Sequence, residues 1–208
     1  MSLLPSRRRP AYPGPVDEEL RSLTERLRQE SHGSPGYERL LATADQDELA
    51  EVLTAPGQPL WARELAAFRL GRAGDRRAFE ALVLLLNHRD PPRCASAAHA
   101  LARLGDPRTA RAAAALATNE LRVAYALHPV RLLVELRAPE SVPALITTLE
   151  RRLRPHDPYR RVALACVDGL GALGDARARR VLGEALAHPA LAEAAVRALA
   201  LIPRQERK

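Results

Sequence analysis

One short turn recurs along the chain and constrains the fold more than any other feature. Gly74-Asp75-Arg76-Arg77-Ala78 returns as Gly105-Asp106-Pro107-Arg108-Thr109-Ala110 and again as Gly174-Asp175-Ala176-Arg177-Ala178. Leu136-Arg137-Ala138-Pro139-Glu140 stands in the matching place between the last two. The steps are 31 residues from Gly74 to Gly105, 32 from Gly105 to Arg137 and 37 from Arg137 to Gly174. A fixed period in this range marks a unit that cannot cover its own apolar face and must stack on copies of itself. The longest step carries about five extra residues, placed within Arg152–Tyr159.

Each residue of the turn has a physical reason. Glycine takes the left-handed conformation that ends a helix, and the following aspartate accepts the free N–H groups of the next one. Pro107 and Pro139 suit a first helical turn, where a missing N–H leaves nothing unpaired. Arg137 lacks the glycine's freedom, so its joint must be built differently. Between joints, apolar residues fall at helical spacing: Leu82, Leu85 and Leu86; Cys94, Ala97, Ala98, Leu101 and Leu104; Leu145, Ile146 and Leu149; Ala163, Cys166, Val167, Leu170 and Leu173. Period-two patterns are absent. The expectation is an all-α, right-handed solenoid of about five helical hairpins with an N-terminal capping helix.

The repeats proper are expected over 59–203, preceded by a degenerate cap over 17–58. Within that cap Asp17–Gln29 presents Leu20, Leu23 and Leu27 on one face, and Ser31–Gly36 reads as a loop. Asp47–Leu53 and Trp61–Leu70 read as a first, degenerate pair, and Val181–Ala187 with Leu191–Ile202 closes the far end. Ten or eleven helices are expected in all, by about one per half-repeat. Residues 1–16 form a Pro/Arg-rich tail expected to be disordered, and 204–208 a basic tail. Pro129 falls mid-helix and predicts a kink.

Composition narrows the function classes. Of 208 residues 47% are hydrophobic, too many for a disordered chain. No apolar run approaches the roughly 18 residues of a membrane span, so no membrane partner is expected. The first residues carry charges without an apolar stretch, which argues against a secretory signal and for the cytoplasm. Two cysteines, Cys94 and Cys166, make neither a disulfide framework nor a four-cysteine metal site. The net charge of +7 sits mostly in the tails: Arg7, Arg8, Arg9, Arg204, Arg207 and Lys208 supply most of it, and residues 10–203 are nearly neutral. Lys208 is the only lysine, which excludes a Walker loop.

The hairpin period, with Leu104-Gly105-Asp106, Leu173-Gly174-Asp175 and Ala73-Gly74-Asp75 at the joints, resembles the HEAT-like repeat of bacterial proteins named after the phycobilisome (phycocyanobilin) lyases. The resemblance spans roughly residues 59–202. It implies a right-handed helical solenoid with scaffolding, adaptor or subunit-binding roles; bilin attachment in the family is confined to phycobilisome-bearing organisms, and nothing outside the repeat points to a bilin, so no cofactor is expected. Two enzyme families of related fold set further expectations. Deoxyhypusine hydroxylases hold iron through His-Glu pairs, and no His-Glu dipeptide occurs here, so no catalytic, cofactor or metal residues are expected. Alkylpurine DNA glycosylases bring aromatics and an acid to a basic face; Asp168 beside Tyr125 is the only such pairing.

Two surfaces are candidates for binding. Opposite the core stripe of the second helices stand Arg93, Ser96 and Arg103, then Tyr125, His128 and Glu135, then Arg161 and Asp168, with His99 and Arg131 at the border. Tyrosine and arginine dominate binding hot spots, so Tyr125, His128 and Arg131 lead the set. A protein partner of unknown identity is expected there, against the plainer reading of a solvated mixed-charge face. The second candidate is the insertion, where Arg151, Arg152, Arg154, Arg160 and Arg161 surround Tyr159 and suit nucleic acid, against a loop kept soluble by its charge. Arg177, Arg179 and Arg180 belong to a joint on the opposite edge and are not expected to extend that patch.

Overall fold

The structure is a computed structural model describing residues 15–203, with side chains from Leu20 onward. Among the described residues there are twelve α-helices and no strands. The first two are α1 (Pro15–Glu30) and α2 (Pro35–Ala42). Five hairpins follow: α3 (Gln46–Thr54) with α4 (Leu60–Ala73), α5 (Phe79–Leu86) with α6 (Pro91–Leu104), and α7 (Thr109–Ala117) with α8 (Leu127–Leu136). The last two are α9 (Ser141–Arg152) with α10 (Arg160–Leu173), and α11 (Arg179–Ala185) with α12 (Ala192–Leu201). The second helices α4, α6, α8, α10 and α12 pack successively in one row, and the first helices α7, α9 and α11 pack successively beside it. The chain is an all-α solenoid, as the period requires.

The joints explain the repeated motif atom by atom. Gly74, Gly105 and Gly174 hold φ of 78°, 64° and 70°, the left-handed region that favours glycine. Asp75, Asp106 and Asp175 each accept the backbone N–H two residues on, at 3.0, 2.9 and 2.8 Å. The arginine at that position then folds its guanidinium back onto the same carboxylate. Hydrogen bonds from Arg77, Arg108 and Arg177 hold all three aspartates below the usual carboxylate range. The fourth joint reaches the same shape by other means. Arg137 itself takes φ 50°, and the Ser141 hydroxyl donates to the Leu133 carbonyl at 2.6 Å while accepting the Ala138 N–H.

The core runs unbroken through both rows, from Leu23 and Leu27 of α1 to Ala195 and Ile202. Cys94 and Cys166 are buried and unbonded to each other. Burial pushes the Cys94 thiol up to about 11 and Cys166 higher still, so neither is an activated nucleophile.

Two sequence expectations are overturned here. α2 makes a twelfth helix where ten or eleven were expected, and it starts at Pro35, inside the expected Ser31–Gly36 loop, because Pro35 and Gly36 open a helix whose Tyr37 and Leu40 reach the core. Pro129 makes no mid-helix kink. The segment before it, Glu120–Tyr125, is a 3-10 helix with a non-helical Arg122, and α8 starts only at Leu127. Pro129 therefore sits in a first turn, where its missing N–H is harmless.

Candidate functional site

Spacing along the second helices explains where the row closes and where it opens. Three residues before each joint stand Gly71, Ala102, Val134 and Gly171. At Gly171 a Cβ would lie 2.7 Å from the Ala198 Cα, and at Gly71 it would lie 3.0 Å from the Ala100 Cβ. At those positions the next helix touches backbone to backbone. Val134 fills the equivalent place on α8, and α10 answers with Gly169, where a Cβ would clash with the valine side chain at 2.4 Å. Beside this contact lies a groove of about 450 Å3. Leu127 and Val134 of α8 and Leu164, Ala165, Gly169 and Ala172 of α10 form its apolar lining, with Arg131, Arg161 and Asp168 alongside.

The groove continues into a second cavity of about 260 Å3 that shares Leu127, Arg131 and Arg161 with it. Tyr125, His128 and Tyr159 line this end, with Cys94 and Val162 among its apolar neighbours. Tyr125 is held under the Arg122 guanidinium at 4.6 Å, and Tyr159 faces that of Arg152 at 5.7 Å. Burial first, then the charges of Arg131 and Arg161, hold the His128 imidazole below its ordinary range. It is a neutral donor or acceptor at pH 7, flanked by two cations.

Five of the expected residues thus converge: Tyr125, His128, Arg131 and Asp168, joined by Arg161. Arg103 and Glu135 are exposed but line neither cavity. His99 is half-buried and stacks on Phe68 at 6.1 Å.

Arg93 and Ser96 are corrections. Both are buried, at 8% and 4% exposure, because α1 lies against α4 and α6 and covers them. Arg93 bonds Glu64 and Glu30, Arg26 bonds the same two carboxylates, and the Ser96 hydroxyl donates to Glu64 at 3.2 Å. The Glu64 side chain is 1% exposed. Burial alone would lift the Glu30 carboxyl, but Arg93 and Arg26 hold it below the usual range. These charges fasten a helix and face no partner.

The insertion is also corrected: its arginines do not form one patch. Arg151 turns to the preceding repeat, donating to the Thr118 carbonyl at 2.5 Å and pairing with Glu120 at 3.1 Å. Arg152 is nearly buried in a 2.8 Å pair with Asp157. Tyr159 and Arg161 join the groove, while Arg154 and Arg160 point to a separate cavity toward α12. Of the joint arginines, Arg177 is bound to Asp175, Arg179 to the Ile202 carbonyl, and Arg180 to Glu150 and Glu184. Among the described residues, no three His, Cys, Asp or Glu side chains converge as a metal site requires. No described helix is long and apolar enough to cross a membrane.

The missed element is the cover itself. α4 is buried over most of its surface, including Glu64, and its consecutive apolar run Leu65-Ala66-Ala67-Phe68 keeps to no single stripe, as in a helix that neighbours enclose. That signal was present in Leu60–Ala73.

Residues 162–188, from α10 to the turn after α11, match the family model of the PBS lyase HEAT-like repeat. No curated protein matches the chain.

Proposed function

We propose that this HEAT-like repeat protein is a non-enzymatic adaptor, binding a segment of a protein partner in the groove between α8 and α10. One observation carries the reading: an apolar floor, two tyrosines and two arginines unpaired among the described residues occupy a continuous open channel. Apolar contact supplies affinity, and Arg131, Arg161 and Asp168 set orientation by charge. The mixed charge favours a protein over a phosphate backbone, and the cytoplasm is the expected compartment.

Ala172 is exposed on the groove wall, so Ala172→Trp fills the channel without disturbing the core. Tagged wild type, Ala172→Trp and Tyr125→Ala/Arg131→Ala would be used to capture proteins from the host's lysate after nuclease treatment. We expect one or two proteins retained by the wild type and lost, about tenfold or more, by both folded variants. Equal capture by all three places the binding surface elsewhere. Capture abolished by nuclease in the wild type would favour a nucleic-acid-associated solenoid instead.

A further inference from the structure

A third cavity, of about 220 Å3, lies between the loop after α9 and the turn before α12. Its polar lining is Arg152, Arg154, His156, Asp157, Arg160 and His188. Arg152 and Asp157 neutralise each other. What remains is two guanidiniums and two imidazoles, with no second acid in the wall. Among the described residues neither Arg154 nor Arg160 forms an ion pair, and the one acid in the wall is already held by Arg152. Arg131 and Arg161 of the groove are also unpaired, but Asp168 shares their channel. Here an excess of positive charge lines a small open cavity.

We infer that this cavity binds a phosphate monoester or diphosphate group, held by Arg154 and Arg160 and hydrogen-bonded by His156 and His188. A guanidinium fork matches two phosphate oxygens at once, which a point charge does not. Arg160 opens α10 and Leu191 immediately precedes α12, and both border the same space, so the two helix N-termini add partial positive charge to the arginine clamp. The volume is below the roughly 300 Å3 at which whole drug-sized ligands begin. The cavity therefore takes a phosphate group and leaves any larger body outside. This site is separate from the groove and does not depend on the adaptor reading.

The test is calorimetric titration of the full chain with pyrophosphate at constant ionic strength, beside a chloride blank. We expect saturable one-to-one binding that weakens about tenfold or more in Arg160→Ala and disappears in Arg154→Ala/Arg160→Ala. Arg177→Ala, on a joint, should bind as the wild type does. Both clamp arginines are exposed, so an unchanged melting curve verifies the fold. Unsaturable heat, wild-type binding by the double variant, or equal loss in Arg177→Ala overturns the site. A second arm compares 5′-phosphorylated and 5′-hydroxyl trinucleotides. Competition with pyrophosphate by the phosphorylated strand alone identifies a terminal phosphate as source, and competition by neither identifies a free phosphate compound. Binding of both strands alike, without competition, is backbone contact and overturns the proposal.

Discussion

Arg93 and Tyr125 occupy the same place in successive repeats, each eight residues before an aligned leucine, Leu101 or Leu133. One is buried in a network of ions under α1, and the other lines an open channel. The row of second helices is thus divided: among the described residues its first two members are covered by the chain itself, and α8 to α12 are not. Equal repeat positions do not make equal surfaces. What decides is whether another element lies across them, and α1 reaches only as far as α6.

The largest expected effect breaks the comparison if it fails. Glu64→Ala leaves Arg26 and Arg93 without their shared buried partner, a change worth about 3–5 kcal/mol, or about 6–20 °C in Tm for a chain of this size. Asp168→Ala, an acid on the open half, should alter stability by no more than about 0.5 kcal/mol. Similar melting shifts for the two would mean that the covered and open halves do not differ.

A smaller effect concerns a joint. The Asp106 side chain is 2% exposed and accepts the Arg108 N–H in the turn that leads into α7. Asp106→Ala should lower Tm by about 1–8 °C, from the usual loss of about 0.5–2 kcal/mol for such a side chain-to-backbone bond at a helix start. Because the folded-state carboxyls of Asp75, Asp106 and Asp175 lie below their unfolded values, this stabilisation is complete above about pH 4. It is lost as pH falls through the folded values. A flat melting profile from pH 5 to 2 would contradict that linkage.

His128 sharpens the contrast from the open side. Its folded pKa is depressed, so its favourable share of stability is complete above the unfolded value of about 6.5 and is lost as pH falls below it. The wild type should therefore lose more Tm between pH 7.5 and 5.5 than His128→Gln does. A carboxylate bound between Arg131 and Arg161 would raise the His128 pKa, which an imidazole NMR titration reads directly. The smallest change is Arg137→Gly, which relieves a left-handed arginine and should raise Tm by about 2–4 °C, equivalent to about 1 kcal/mol.

How legible all this was depends on range in sequence. The joints are local: Gly105, Asp106 and Arg108 lie within four positions, and their pattern encodes their geometry in full. The apolar stripes likewise determined which faces of α6, α8 and α10 turn inward, and hence the place of Tyr125, His128, Arg131 and Asp168. The cover was not local. Leu20, Leu23 and Leu27 reveal that α1 must pack, but not on what, and the contact between Glu30 and Arg93 spans 63 residues. The insertion failed for a related reason. Its arginines lie close together in sequence, yet they sit on either side of a turn with His156 at φ 60° and reach three different surfaces.

The reach of α1 also acts as a ruler. Helices in such a row stand about 8–10 Å apart, and three of them, α8, α10 and α12, lie beyond the cover. An extended peptide laid across two such intervals covers about 20 Å, which at about 3.3 Å per residue is about six residues. Under the adaptor proposal, the stretch of the row open to a partner would be set by a helix that does not touch it, and shortening α1 would lengthen that stretch.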